Sequence, residues 1–363
     1  MHLFSHANGL TMSMSLREGA TGFAFTIDRL GVVMTPDGSE REIEGVLNPG
    51  VTRDRCGRLL LYPRTVARGN VSRIGFARAI ESASDWRVER LGVALEPEAP
   101  YEMRGGFAGH GCEDARVTFV PKLDRYVMMY TAFGPTGARI ALAISPDAYD
   151  WQRLGIVEFP DDALNSIDNK DAAFFPETVI SPEGVESFAF FHRPMRPETI
   201  DGQTPIPIIL ALPPSERETM CIAYIPVERV HAKIENLCRP NESVHVLDVS
   251  ESWGYLKNGA GTPPIRTKVG WLSVFHGVDA VDGVRGPTLR YRAGILINDL
   301  ERPHEVIYRS PKPILAPETS DERFGTVGDV VFPTGIDRIS DSQIDIYYGA
   351  ADAKILRARI TMV

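Results

Sequence analysis

Arg73-Ile-Gly-Phe-Ala-Arg-Ala-Ile-Glu-Ser-Ala-Ser-Asp-Trp-Arg-Val-Glu-Arg-Leu-Gly92 occurs a second time, in modified form, further along the chain. The second copy reads Arg139-Ile-Ala-Leu-Ala-Ile-Ser-Pro-Asp-Ala-Tyr-Asp-Trp-Gln-Arg-Leu-Gly155. The copies lie about 65 residues apart, and each follows another β-rich run, at residues 59–64 and 126–131. The repeated unit is therefore a strand, a turn, a second strand, an Asp-Trp pair and a third strand.

Three more units follow the same plan without the Asp-Trp pair. Their first apolar runs are residues 187–193, 271–276 and 344–349, and their second runs are residues 220–224, 291–297 and 355–360. About five units of short strands predict an all-β fold, a five-bladed β-propeller whose terminal segments share a blade. We expect one catalytic domain over residues 1–363, with residues 1–40 as an amino-terminal extension that packs on a blade or completes one. A β-sandwich, or a pair of them, is the alternative, and the Asp-Trp repeat weighs against it.

Composition excludes several classes of function. The chain has 363 residues and a net charge of −9, and without a Lys/Arg run it is not expected to bind nucleic acid. Its start does not read as a signal peptide, and no apolar stretch is long enough for a membrane helix. The four cysteines are scattered, and neither they nor the histidines have a metal-ligand spacing. We therefore expect a cytoplasmic protein without nucleic-acid or membrane partners and without a metal.

The segment Gly111-Cys-Glu-Asp-Ala-Arg-Val-Thr-Phe119 places two carboxylates and an arginine at the mouth of an apolar strand. In a regular strand, neighbouring side chains point to opposite faces, so Glu113 and Asp114 are not expected to share a pocket. We expect Asp114 to act chemically, while Glu113 and Arg116 support the strand.

The inner strands of a propeller end in one shared pocket, so polar residues at these ends should converge there. The cations and carboxylates at these positions suit a polyhydroxylated ligand together with an anion, because arginine matches phosphate oxygens.

Ten ordered motifs between about Asn48 and the end of the printed sequence carry a family resemblance. They are Asn48-Pro49, Leu60-Leu-Tyr62 with Arg64, Ser72-Arg-Ile-Gly75, Gly111-Cys-Glu-Asp114 with Arg116, Asn169-Lys-Asp-Ala172 with Phe175-Pro-Glu177, His192-Arg-Pro194, Gly259-Ala-Gly-Thr-Pro-Pro-Ile265, Gly270-Trp-Leu272 with His276-Gly277, Val330-Val-Phe-Pro-Thr-Gly335 and Tyr347-Tyr-Gly-Ala-Ala-Asp352. Together they resemble glycoside hydrolase family 130.

The resemblance implies a five-bladed propeller that cleaves β-mannosides with inversion, mostly by using inorganic phosphate to form α-mannose 1-phosphate. Asp114 would be the general acid, passing its proton to the glycosidic oxygen through the mannose 3-hydroxyl. Phosphate is charged already and needs no catalytic base, so one carboxylate suffices. The substrate-binding residues implied are Asn48, Arg64, Asp171 and Asp352, and the phosphate-binding residues implied are Arg73, Lys170, Arg193, His276 and Tyr291.

Two departures from the family pattern keep alternatives open. Ala115 stands where proline is usual, which frees the backbone next to the acid. Asp329 stands where many members carry asparagine, and it would be the base if the enzyme were an inverting β-mannosidase, for example a β-1,2-mannosidase. A second alternative is a propeller that binds glycans without turnover.

The expected small-molecule partners are a carbohydrate and inorganic phosphate as co-substrate, without a further cofactor. The acceptor sugar is not predicted. Loops 194–214 and 228–252 are expected to cover the pocket or to form a contact between subunits of a homo-oligomer.

Overall fold

The computed structural model describes residues 24–81, 86–105, 109–200, 203–283 and 286–362. Residues 1–23 of the amino-terminal extension and Asp85 of the first Asp-Trp pair lie outside them. The first described strand is β1 (Phe25–Met34). Nearly all of the remaining described secondary structure is antiparallel sheet.

The strands form five blades, each with its innermost strand first. Blade I contains β2 (Gly45–Arg53), β3 (Leu59–Ala67), β4 (Val71–Glu81) and β5 (Trp86–Leu95). Blade II contains β6 (His110–Val120), β7 (Arg125–Gly134), β8 (Gly137–Ser145) and β9 (Gln152–Ile156). Blade III contains β10 (Asn169–Phe174), β11 (Val179–Ile180), β12 (Glu186–Pro194), β13 (Met220–Pro226) and β14 (Glu242–Leu247).

Blade IV contains β15 (Lys257–Ala260), β16 (Ile265–Arg266), β17 (Trp271–Gly283), β18 (Gly286–Asn298) and β19 (Val306–Arg309). Blade V contains β20 (Val331–Arg338), β21 (Gln343–Ala350) and β22 (Lys354–Met362). Four short helices lie in the connections: α1 (Asp162–Ser166), α2 (Ile206–Ala211), α3 (Val227–Ala232) and α4 (Ser320–Arg323). None of the helices in the described ranges is long and apolar enough to cross a membrane.

Strand β1 is the outer strand of blade V, because it pairs antiparallel with β22 from Phe25↔Met362 to Met34↔Ile355. Blades I and II are joined by a short parallel pairing of β4 with β6. The expected five-bladed propeller is confirmed, and the repeated segments form strands β4, β5, β8 and β9 as the sequence pattern predicts.

The core is divided among the blade interfaces. In the described part of the chain, five apolar clusters fill the five gaps between neighbouring blades. For example, Phe174 and Phe190 of blade III pack with Val127 and Leu142 of blade II. Each blade is therefore apolar on both faces, which explains the near-continuous apolar runs in the sequence. Polar residues on the inner strands are left to face the centre of the ring.

Candidate active site

A cavity of about 400 Å³ lies where the five blades meet. Its lining residues come from every blade: Asn48, Arg64, Glu113, Asp114, Lys170, Asp171, Arg193, Gln203, Thr288, Leu289, Tyr291, Val327, Val330, Phe332 and Asp352. A second cavity of about 290 Å³ shares Arg64, Glu113, Lys170, Gln203, Val327 and Asp352 with it, so the two form one cleft. Seven of the ten residues implied by the resemblance to bind or act on substrate and phosphate are thus brought together with Asp114 itself.

A β-bulge recurs at the start of the cavity in blades I, II and III. Two residues of the inner strand face one residue of its neighbour, and the first of the two has a positive φ: 44° at Asn48, 52° at Asp114 and 59° at Asp171. Asn and Asp tolerate this left-handed conformation better than other residues with a side chain. The same local backbone therefore delivers three polar side chains to the cavity.

The bulge corrects the expectation that Glu113 and Asp114 cannot share a pocket. Both side chains line the cavity, because the left-handed conformation at Asp114 interrupts the alternation of a regular strand. Glu113 Oε1 accepts a hydrogen bond from Arg64 Nη2 at 2.8 Å. Arg116 lies behind the cavity and donates from Nη1 to the backbone oxygen of Asp114 at 2.8 Å. It holds the bulge in place from a fully buried position, with further hydrogen bonds to backbone oxygens of blade IV.

The Asp114 carboxylate is held on one oxygen. Oδ1 accepts a hydrogen bond from Asn48 Nδ2 at 2.8 Å and lies 3.5 Å from Arg64 Nη1. Arg64 is itself fixed by Ser72 Oγ at 2.9 Å and by Glu113. Within the described residues, Oδ2 makes no such bond, so this oxygen is available to a hydroxyl in the cavity.

The opposite wall is cationic. Lys170 lines the cavity with its ammonium 5.7 Å from the Phe133 ring centre, and no carboxylate of the described residues lies within salt-bridge distance of it. Arg193 is buried and binds Asp171 Oδ2 through Nε at 2.7 Å and Glu218 Oε2 through Nη1 at 2.8 Å. These two carboxylates fix the guanidinium at the cavity wall, which preserves its charge and its orientation.

Asp171 is an ion-pair partner rather than a free carboxylate. Besides Arg193, it faces Arg116 Nη2 at 3.6 Å and His276 Nε2 at 3.5 Å. Burial by itself would raise the pKa of Asp171, but Arg193 and these neighbours outweigh it and hold the pKa well below its usual range. Gly259 makes room for this cluster, because a Cβ there would lie 2.4 Å from Asp171 Oδ2 and 2.9 Å from Arg193 Nε.

His276 lies behind the cavity wall, in contact with the rings of Tyr291 and Phe332. It is fully buried, and burial lowers its pKa to about 3, so the ring is neutral at pH 7. Tyr291, in contrast, lines the cavity directly. Its backbone N–H donates to the Asp329 carbonyl oxygen at 3.0 Å, which ties blade IV to the segment before blade V.

Asp352 sits in the turn between β21 and β22 with φ 47° and lines the cavity near Arg64 and Lys170. Burial, together with the nearby carboxylates of Asp114 and Glu113, raises the pKa of Asp352 to about 6 despite Arg64. This carboxyl therefore changes its protonation state close to neutral pH.

Arg73 and Asp329 are not brought to the cavity lining. The Arg73 guanidinium pairs with Glu96, so the structure gives no support to its expected contact with phosphate. Asp329 has φ 58° and is adjacent to the lining residue Val330, but its own contact with the site is through its backbone oxygen.

Gln203, Thr288, Leu289 and Val327 line the cavity and were not identified from the sequence. They belong to connections outside the repeated strands, where no periodicity marks the inward side. Gln203 lies in loop 194–214, which therefore contributes to the cavity as expected. Residues 228–252 form helix α3, strand β14 and their connections at the edge of blade III, and none of them lines the cleft, so the expectation that they cover the pocket is wrong.

Metal binding is not indicated by the site. In the described ranges, no group of three or more His, Cys, Asp and Glu side chains is arranged to hold a metal ion. The four cysteines, Cys56, Cys112, Cys221 and Cys238, are unpaired thiols.

Comparison with known proteins assigns the chain to a family. A family model described as β-1,4-mannooligosaccharide phosphorylase, from glycoside hydrolase family 130, matches residues 230–363. A 1,2-β-oligomannan phosphorylase of Thermoanaerobacter sp. (strain X514) is 29% identical over 334 residues, which cover 89% of this chain and 92% of the relative. A β-1,2-mannobiose phosphorylase of the same organism is 31% identical over 290 residues, covering 78% of this chain and 76% of the relative.

Solved structures agree on the fold. The β-1,2-mannobiose phosphorylase of Listeria innocua, in complex with β-1,2-mannobiose, superposes with a TM-score of 0.68 at 22% identity and covers 92% of this chain and 96% of its own. With an identity above 30% to a relative of which three quarters is covered, the chain belongs to glycoside hydrolase family 130.

Proposed function

We propose that the protein is an inverting β-mannoside phosphorylase. The observation that carries this proposal is the pairing, in one cavity, of an aspartate with a free oxygen and a wall of fixed cations: Asp114 on one side, Lys170 and Arg193 on the other. A hydrolase has no need to concentrate positive charge opposite its acid, whereas a phosphate nucleophile does.

In the proposed reaction, Asp114 supplies the proton and phosphate supplies the electrons. A phosphate oxygen attacks the anomeric carbon of the mannosyl group from the face opposite the leaving group, and the glycosidic C–O bond breaks. The proton of Asp114 passes through the mannose 3-hydroxyl to the departing oxygen, as the family resemblance implies. The products are α-mannose 1-phosphate and the shortened saccharide, and no base is needed because the nucleophile is already an anion.

Asn48 and Arg64 position the acid in this reaction. Asn48 donates to Oδ1 of Asp114 and Arg64 lies near the same oxygen, so Oδ2 is the oxygen that faces the sugar. Asp352, with its pKa near 6, is a second group able to contact a mannose hydroxyl, as donor when protonated and as acceptor when ionised.

Phosphate would be held by Lys170, Arg193 and Tyr291. Lys170 offers an uncommitted charge, and Arg193 is held at the wall by Asp171 and Glu218. His276 would act from behind this wall by packing against Tyr291 and Asp171. We propose β-1,2-linked mannosides as the substrates to test first, since the relatives with the greatest coverage are described as acting on β-1,2-mannobiose and β-1,2-oligomannan.

The test is incubation with β-1,2-, β-1,3- and β-1,4-linked manno-oligosaccharides, each with and without inorganic phosphate. We expect α-mannose 1-phosphate to form with phosphate and no free mannose to form without it, as read by ³¹P and ¹H NMR. Release of free mannose that is independent of phosphate would replace this proposal with the hydrolase, in which Asp329 is the candidate base. Binding without turnover would favour the glycan-binding alternative.

A further inference from the structure

A chain of polar side chains leads from a buried lysine to the cavity. Lys257, on the inner strand of blade IV, is 1% exposed, and its Nζ donates a hydrogen bond to Gln203 Oε1 at 2.9 Å. Gln203 lies on the loop between blade III strands β12 and β13, and it lines the cavity beside Tyr291. Two blades are thus connected through one amide group.

The direction of these hydrogen bonds is fixed by chemistry. A lysine ammonium has only donors, so the Gln203 atom that faces it is the carbonyl oxygen and the NH₂ group is directed away from it. Burial raises the pKa of Tyr291, while Arg193 and a hydrogen bond with Gln203 oppose the rise. A hydrogen bond that lowers the pKa of a phenol is one donated to its oxygen. The Gln203 amide therefore donates to Tyr291, whose oxygen then serves as the acceptor.

Gln203 is held in place although its side chain is exposed at the cavity. Its neighbour Thr204 is 2% exposed and donates to Glu218 Oε1, and the other oxygen of Glu218 accepts from Arg193 Nη1 at 2.8 Å. Lys257 Nζ lies 3.8 Å from the same Glu218 oxygen. The position of Gln203 is therefore tied to the same carboxylate that orients Arg193.

We propose that Lys257 and Gln203 form a one-way hydrogen-bond relay that turns the Tyr291 hydroxyl toward the cavity as a donor for a phosphate oxygen. The inference rests on the proposed function and deepens it by naming two positioning residues for the anion. Once Gln203 occupies the phenol oxygen, Tyr291 has only its O–H to offer, which matches the acceptor oxygens of phosphate. The relay thus adds a directed donor to the charges of Lys170 and Arg193.

The experiment compares Gln203→Met, Gln203→Glu, Tyr291→Phe and the double variant Gln203→Met/Tyr291→Phe in the phosphorolysis assay. Gln203→Met keeps the length of the side chain and removes the donor, so the KM for phosphate should rise about tenfold, the effect of one hydrogen bond to a charged group. Gln203→Glu should raise it further, because a carboxylate accepts from Tyr291 and turns the hydroxyl away. The KM for the mannoside should stay within about twofold. The matched control is Gln152→Ala on exposed strand β9, which should change neither constant.

The double variant separates a relay from a direct contact. If Gln203 acts through Tyr291, adding Gln203→Met to Tyr291→Phe changes the KM for phosphate no further. Additive effects, or a KM for phosphate within twofold of wild type in Gln203→Met, would overturn the relay while leaving the phosphorylase intact. A wild-type enzyme whose turnover does not depend on phosphate would instead overturn the proposed function. Isothermal titration of each variant with inorganic phosphate alone checks that the change lies in anion binding.

Discussion

Asp114 and Asp171 occupy the same bulge in neighbouring blades and have opposite surroundings. Asp114 faces a neutral amide at 2.8 Å and an arginine nitrogen at 3.5 Å, and one of its oxygens is open to the cavity. Asp171 is bonded to Arg193 and faces Arg116 and His276. The backbone delivers a carboxylate to the cavity in both cases, and the neighbours decide whether it can give a proton or only anchor a cation.

The largest expected effect comes from Asp114→Asn. If Asp114 is the general acid, kcat should fall by roughly 10²–10⁴-fold while the KM for mannoside changes little, because the amide keeps the contact with Asn48 but has no acidic proton. Steady-state phosphorolysis and substrate titration measure the two quantities. A substrate with a leaving group that needs no protonation, such as an activated aryl β-mannoside, should recover part of the lost rate. Unchanged kcat would remove Asp114 from its proposed role.

Asp171→Asn tests the other member of the comparison through stability. Removing this charge leaves Arg193 and Arg116 buried beside a neutral group, which should cost about 3–5 kcal/mol of unfolding free energy. Because the pKa of Asp171 is lowered in the folded protein, its contribution is present above the unfolded pKa and is lost as the pH falls through the folded value. The difference between wild type and variant in urea unfolding should therefore shrink at acid pH.

The control for this variant is Asp124→Asn. Asp124 pairs with Arg55 at 2.7 Å, but both side chains are largely exposed, so the loss should be below about 1 kcal/mol. Equal losses for the two variants would contradict the anchoring role of Asp171.

Gly259→Ala should disturb the same cluster without changing any charge. The added methyl group would lie 2.4 Å from Asp171 Oδ2 and 2.7 Å from His276 Cε1, so the Asp171–Arg193 pair must shift. We expect destabilisation by about 1–3 kcal/mol together with weaker phosphate binding. Calorimetric unfolding and phosphate titration provide the measurements. Gly105→Ala, where a Cβ meets nothing within 4 Å, is the control and should leave both values near wild type.

The smallest effect is expected for Asp352→Asn, and it should be a gain in stability. The folded pKa of about 6 lies above the ordinary 3.8, so the folded state binds a proton that the unfolded state has released between these values. Stability therefore falls as the pH rises from about 4 to 6. Asparagine removes this penalty, and Tm should increase at pH 8, by an amount on the order of 1–2 kcal/mol, and hardly at pH 4. Equal shifts at both pH values would show that titration of Asp352 is not the cause.

Much of the fold could be predicted from the sequence because each blade repeats one pattern of short apolar strands. The Arg73 and Arg139 repeats revealed the unit, and the count of units gave the number of blades. The site was predictable where it depends on inner-strand residues such as Asn48, Asp114 and Lys170, since a propeller brings these together.

The remaining features depend on local backbone or on packing that no period records. The left-handed bulge at Asp114 reverses the expected direction of its side chain, although a signal was present: an Asp or Asn followed by proline or alanine inside an apolar strand. Gln203 belongs to a loop, so its contact with Lys257 could not be read from spacing. Arg73 matched a motif, but the neighbouring Glu96 captures its charge.

The pairing of β1 with β22 also has a consequence for how the ring is made. Phe25 is among the first residues to be synthesised in the described chain, and its partner Met362 is among the last. Blade V therefore cannot be completed on the ribosome until nearly the whole chain has emerged, and such distant pairing favours slow folding. Since Asp352 and Asn48 belong to blades that meet at this closure, the cavity should form late, and a nascent chain should have no activity to misdirect.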